Sequence, residues 1–347
     1  MSFKRLDPED FLISADSITA GAWTSNAPTL STFFTSSTQE GGSSGNYYVN
    51  ILDEDPDTSS TASIQFSAAF GNSDGSGSLL YDPGILGKSP TSTIYGQFQN
   101  IILGDENNSF EFGGITPVTQ SVYALSIARS RYKGNMFLGT MDLTLTKGGT
   151  TIKLTDNSND VSTVVFNEAG RVYQIVSGSQ GSAVGSGDSA TDAVANGMTI
   201  SGSYGLFLPD IGTILLNASA LDLASGYGGI ALNTGNASNT SDNNNRKIFQ
   251  AVKEGLAFSL NSQENITSDF IFCRARNAEY NYSENPSFVS GSAGEVLYTS
   301  FINSPQTFIT SVGLYNDANE LLAVAKLSKP LKKDFTKEAL VRVKLDF

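Results

Sequence analysis

No histidine occurs anywhere in the 347 residues. That removes Ser-His-Asp and Cys-His nucleophilic machinery, histidine general bases and histidine metal ligands together. Cysteine chemistry is nearly as restricted. The one cysteine, Cys273, lies in the apolar run Phe270-Ile271-Phe272-Cys273 and reads as a small buried hydrophobe. No intrachain disulfide can form, and no cysteine-bound zinc is expected. Carboxylate chemistry and oxygen-ligated cations remain.

Four local patterns invite a chemical reading. Pro83-Gly84-Ile85-Leu86-Gly87-Lys88-Ser89 echoes a phosphate-binding loop, but two residues stand where the motif needs four. Pro90 is also expected to oppose the helix that such a loop must start. Gly41-Gly42-Ser43-Ser44-Gly45 matches a nucleophile elbow, yet it precedes strand-like sequence and has no histidine base to serve it. Asp156-Asn157-Ser158-Asn159-Asp160 alternates oxygen ligands like a calcium loop. Val161 replaces the required glycine and Asn167 the bidentate glutamate, so a polar turn is the better reading. Asp53-Glu54-Asp55-Pro56-Asp57 reads as a solvated turn. A glycosidase needs only two carboxylates, but nothing singles out a pair among 34 acidic residues. The expectation is therefore a protein that is not an enzyme, with no catalytic, cofactor-binding or metal-binding residues.

The balance of charge points the same way. The net charge of −13 opposes phosphate binding, so no nucleic-acid partner is expected. The charge is uneven. Residues 326–347 hold seven basic and three acidic side chains, on an otherwise acidic chain. Such a tail fits docking to an acidic partner or to a copy of itself. It equally fits lysines guarding an exposed strand edge. No apolar run reaches the ~18 residues of a membrane span, and no secretion signal is read at the start.

These residues must be positioned by a mainly β fold. Antiparallel, β-sandwich-like packing with a few short helices is expected, preceded by an extended arm at 1–45. Residues 46–177 read as a β-rich domain, with hairpins predicted at 140–155 and 162–177. Residues 93–103 could be strand or helix. Residues 178–268 read as a loop-rich insertion or second domain. It has polar loops at 178–197 and 233–245 and a helix near 246–258, on the spacing of Ile248, Phe249, Val252 and Leu256, with Asn245 as its cap. Residues 269–347 read as a β segment. It has a hairpin across Tyr315-Asn316-Asp317-Ala318-Asn319-Glu320 and a closing alternating strand at 339–347.

The arm carries Phe3, Phe11, Leu12, Ile13, Trp23, Phe33 and Phe34, too much apolar surface for a free tail. It must be buried on its own body or on a neighbour. Trp23, Phe33 and Phe34, with Lys329, Lys332 and Lys333 of the basic tail, are the expected interaction residues. On that reading Trp23→Ala weakens assembly and leaves the body folded.

Blocks spread over most of the chain carry a resemblance. They include Ser17-Ile18-Thr19-Ala20-Gly21-Ala22-Trp23, Tyr95-Gly96-Gln97-Phe98-Gln99-Asn100 and Ile127-Ala128-Arg129-Ser130-Arg131-Tyr132-Lys133. They continue in Arg276-Asn277-Ala278-Glu279-Tyr280-Asn281-Tyr282 and Phe308-Ile309-Thr310-Ser311-Val312-Gly313-Leu314-Tyr315. The chain resembles virion structural proteins of large contractile-tailed phages, including those of cyanobacteria. The resemblance implies a virion protein of the tail, of baseplate-wedge type, whose partners are other tail subunits. It brings no catalytic residues. A neck, head-decoration or fibre-attachment protein, or a receptor-binding or glycan-degrading tail protein, stays open as an alternative.

Overall fold

The computed structural model describes residues 3–36, 48–77, 89–105, 107–110, 112, 120–183, 204–235, 244–283 and 286–346. The motifs at 41–45 and 83–88 and the loop segments 184–197 and 236–243 lie outside them. The chain forms two compact units. One joins Met1–Ser17 to Asn265–Phe347 and the other is Ile18–Glu264. The larger unit runs through the boundaries expected at 45 and 177, because strand pairing crosses both.

In chain order the elements begin with β1 (Phe11–Gly21), β2 (Thr29–Leu30), β3 (Tyr48–Leu52), β4 (Ile64–Asn72) and helix α1 (Pro90–Leu103). β5 (Ser121–Ile127), β6 (Asn135–Met136), β7 (Asp142–Lys147), β8 (Thr150–Asp156), β9 (Val165–Asn167), β10 (Gly170–Ser179) and β11 (Ser182–Ala183) follow. Then come β12 (Gly205–Leu208), β13 (Thr213–Asn217), α2 (Ala218–Asp222), α3 (Asn244–Gly255), β14 (Phe258–Ser259) and β15 (Asn261–Ala275). The last are β16 (Val289–Ser290), β17 (Glu295–Val296), α4 (Thr299–Asn303), β18 (Gln306–Tyr315), β19 (Leu321–Asp334) and β20 (Ala339–Asp346). The fold is mainly antiparallel β, as expected. The N-terminal region is not an extended arm, since Phe11–Gly21 is a strand and Trp23, Leu30 and Phe33 are core.

The larger unit is one long sheet, in the order β2-β14-β7-β8-β10-β12-β13-β5-β4-β3. It curls until its ends meet. Phe34, just past β2, exchanges backbone hydrogen bonds of 3.0 and 2.8 Å with Leu52 of β3. Inside the curl, Ile248, Phe249, Ala251 and Val252 of α3 pack against Trp23, Phe66, Leu143 and Phe258. On the other face of β5, β12 and β13, α1 covers Val122, Ala124, Leu206 and Leu215 with Tyr95, Phe98 and Ile102. Strands buried on both faces lose the apolar-polar alternation, which is why β5 reads Ser-Val-Tyr-Ala-Leu-Ser-Ile. β5 ends at Ile127, and a 3-10 turn follows at Arg129–Arg131.

Two local expectations are corrected. Pro90 does not oppose a helix; it starts α1, which Gly104 ends in the left-handed conformation. A first-turn proline loses only an N–H that has no intrahelical partner, and its fixed φ suits the helix. Gly84 and Gly87 still have two residues between them where a phosphate loop needs four. Asn245 does not cap α3, because it lies inside that helix's first turn.

β12 pairs with β13 through Gly205 opposite Leu216. Gly205 has φ +150°, and a Cβ there would lie 1.9 Å from the Leu215 carbonyl oxygen. Gly205→Ala therefore separates the two strands or strains the backbone, at a cost of about 1–3 kcal/mol. Denaturant unfolding followed by Trp23 fluorescence measures it, because the one tryptophan lies in this unit. An unchanged midpoint would contradict the close approach.

Candidate interaction surface

The smaller unit has almost no core. Among its described residues only Ile271, Ala275, Ala339 and Val343 are buried apolar side chains. Both apolar clusters of the protein lie in the larger unit. Its backbone is ordered by the β1-β15-β20 path of a four-stranded sheet, with β15 and β20 in continuous register from Ser268 opposite Asp346 to Ala275 opposite Ala339.

Polar contacts do much of the fastening. Arg274 Nη2 donates to Asp10 Oδ1 at 2.7 Å, and Lys4 Nζ donates to Glu279 Oε2 at 2.8 Å and to the Arg274 carbonyl at 2.7 Å. The Arg274 hydrogen bond, helped by the Asp7 N–H, holds the Asp10 carboxyl below its ordinary value. A carboxylate with a depressed pKa adds stability above the ordinary range, and loses it as pH falls through the lowered value. The native chain should therefore melt higher than Asp10→Asn near neutrality. The gap should close between about pH 5 and pH 2. A gap independent of pH would show that the pair does not titrate as drawn.

A hairpin displays several exposed apolar side chains. β18 and β19 pair from Gln306 opposite Asp334 to Tyr315 opposite Leu321. Phe308 is 59% exposed, Leu322 68% and Val324 60%. Among the described residues, each strand of this ribbon has one neighbour strand. Ile309, Val312 and Leu314 are half-buried while Phe308, Gly313 and Tyr315 are exposed, so one face is open, and a lone two-stranded ribbon is marginal in water. A large exposed apolar patch marks a contact surface.

The base of the hairpin is pinned by Lys333, which is fully buried. Its Nζ donates to the Asn277 carbonyl at 2.9 Å, to Asn281 Oδ1 at 2.9 Å and to the Asp334 carbonyl at 3.1 Å. Those three acceptors use all three ammonium protons.

The six expected interaction residues divide. Trp23 and Phe33 are buried in the larger unit, so they are not surface anchors. The reason is the sheet closure, which turns the chain after β2 into the seam of the curl. Trp23 packs on Phe258 and Phe66, with ring centroids 4.8 and 6.0 Å away. Phe34 is half-buried in the closing bridge, with the Lys253 ammonium 5.9 Å from its ring. Lys329 and Lys332 are exposed on β19, while Lys333 points inward and is not a surface residue. The aromatic group and the lysine group thus fall in different units. Sequence reasoning passed over Phe308, Leu322 and Val324, whose signal was present: large apolar residues in the same hairpin as the lysines it singled out.

The candidate chemical patterns are occupied by the fold. Asp156 accepts from the Gly139 and Ser158 N–H groups, Asn157 Oδ1 from the Gln174 N–H, and Asp160 Oδ2 from the Ala183 N–H. Burial raises the Asp156 pKa, with those hydrogen bonds opposing the rise. Asp53 and Asp55 cap the turn at 53–63 through the Ser63 and Asp57 N–H groups. Among the described residues no three cysteine or carboxylate side chains gather as a metal site. No described helix is long and apolar enough to cross a membrane.

Comparison with protein-family models, curated proteins and solved structures finds no match for this chain.

Proposed function

We propose that the chain is a structural subunit of a contractile-tailed phage particle, of tail-baseplate type, and that it works by binding other subunits. The observation that carries the reading is the smaller unit: a sheet and a ribbon without an apolar core, displaying Phe308, Leu322, Val324 and Leu340 to solvent. A folded unit of this kind gains its missing burial from a neighbour. The resemblance to phage virion proteins, carried by the sequence blocks above, supports the choice of assembly. The reading assigns no catalysis; Asp53, Asp55, Asp156 and Asp160, of the two acidic runs, accept turn and loop N–H groups.

The test is an electron cryomicroscopy reconstruction of the particle that carries this chain. The expected result is density for neighbouring tail subunits against 306–334. A smaller unit that faces solvent in the particle would overturn the proposal. So would a distal position with an open aromatic groove, which would move host recognition or glycan cleavage ahead.

A further inference from the structure

The edges of the smaller unit are unequal. β19 carries Lys326, Lys329 and Lys332 and contains Pro330. Its pairing is broken by residues 327–330, which lie outside the register between the Ile309–Leu331 and Ser311–Lys326 pairs. Lysine, proline and a bulge are the devices that keep a strand edge from pairing with another chain. β18 has neither lysine nor proline, and of its residues only Thr310 lies in the irregularity. Its ten residues, Gln-Thr-Phe-Ile-Thr-Ser-Val-Gly-Leu-Tyr, hold no charge and no proline. The flanking strands β1 and β20 of the other sheet carry Asp16, and Arg342, Lys344 and Asp346.

We infer that β18 pairs antiparallel with β18 of a second copy of this chain, about a two-fold axis near Thr310. This rests on the reading above, that the smaller unit is completed by assembly, and names the partner at this edge. The product is a four-stranded sheet with β18 from each copy at its centre. Its outer edges are then the two guarded β19 strands, so addition stops at two copies. A self-complementary, two-fold contact closes in this way.

Charge sets the direction. The turn end of the hairpin carries Asp317 and Glu320, while the open end carries Lys332, the buried Lys333 and Lys337 against Asp334 and Glu338, a net positive charge. Antiparallel pairing brings the acidic end of one copy toward the basic end of the other. Parallel pairing would bring like ends together, which is unfavourable. The unit as a whole resists self-association little. It holds 11 basic and 13 acidic residues, against 10 and 21 in the larger unit. Thr310, at the middle of β18, is exposed.

The experiment is sedimentation equilibrium of the full chain over a dilution series, with Thr310→Lys beside it. The native chain should dimerise, and the variant, which sets two ammonium groups at the axis, should dimerise at least about tenfold more weakly. Circular dichroism and the rate of protease cleavage within 306–334 report whether the variant is folded. A second arm uses Thr310→Cys in a Cys273→Ser chain, in which mild oxidation should give a disulfide-linked dimer without loss of fold. A native chain that stays monomeric at all concentrations overturns the inference. So does a dimer that Thr310→Lys leaves intact and Thr310→Cys does not cross-link. If the chain is monomeric alone but the particle shows 306–334 against another subunit, self-pairing falls and the assembly reading stands. A smaller unit that faces solvent in the particle overturns the assembly reading itself.

Discussion

Trp23→Ala should destabilise the larger unit by about 3–5 kcal/mol, the range for emptying a large aromatic site in a packed core. The indole is 3% exposed and touches Phe66 of β4 and Phe258 of β14, which are themselves 5.3 Å apart. Phe33 reaches the same Phe66 ring, at 6.5 Å. One side chain thus joins strands far apart in the order of the sheet, and alanine leaves a cavity no single neighbour can fill. The flanking backbone would resist collapse, since the Trp23 N–H donates to the Ala27 carbonyl and the Thr24 N–H to Gln65 Oε1. Denaturant unfolding followed by far-ultraviolet circular dichroism gives the loss. A change below about 1 kcal/mol, in the range of ordinary surface substitutions, would return Trp23 to the surface role that the sequence pattern suggested.

Lys333→Ala carries the second large effect, in the other unit. Removing the ammonium strands the carbonyls of Asn277 and Asp334 and the amide oxygen of Asn281. Each buried acceptor left without a donor costs about 1–3 kcal/mol. The ammonium's own desolvation penalty is recovered, so the net loss is on the order of 3 kcal/mol. The hairpin should detach at its base. Protease cleavage within 306–334 should become faster while the Trp23 fluorescence transition stays in place. Lys329→Ala and Lys332→Ala, both exposed, should leave cleavage unchanged. Equal behaviour of all three variants would mean that Lys333 is solvated like its neighbours.

The contrast between those lysines marks where sequence reading stops. Patterning was enough for the β7–β8 hairpin, the β9–β10 pair, the β18–β19 hairpin and α3, because each is set by neighbours in sequence. The segment at 93–103 was undecided, and helix prevailed because Pro90 and Gly104 frame it. Burial of Trp23 was not legible, because it depends on a ring closed by Phe34 and Leu52 and on a strand from 258–259. Nor could Lys333 be told from Lys332, since adjacent strand residues face opposite ways and the inward side is set by the turn at 277–281. Of the interaction residues named from sequence, only Lys329 and Lys332 lie exposed on the hairpin.

The smaller unit is written in two pieces, Met1–Ser17 and Asn265–Phe347, with the whole larger unit between them. On the ribosome, β1 therefore emerges long before its sheet partner β15. At typical synthesis rates the delay is roughly 10–50 s. The larger unit has its strands through β13 in hand during that time and can begin to fold. β18 leaves the ribosome later still, after β15. Its uncharged edge is thus exposed for the shortest time among nascent chains, and is presented only by copies whose main sheet has already been synthesised.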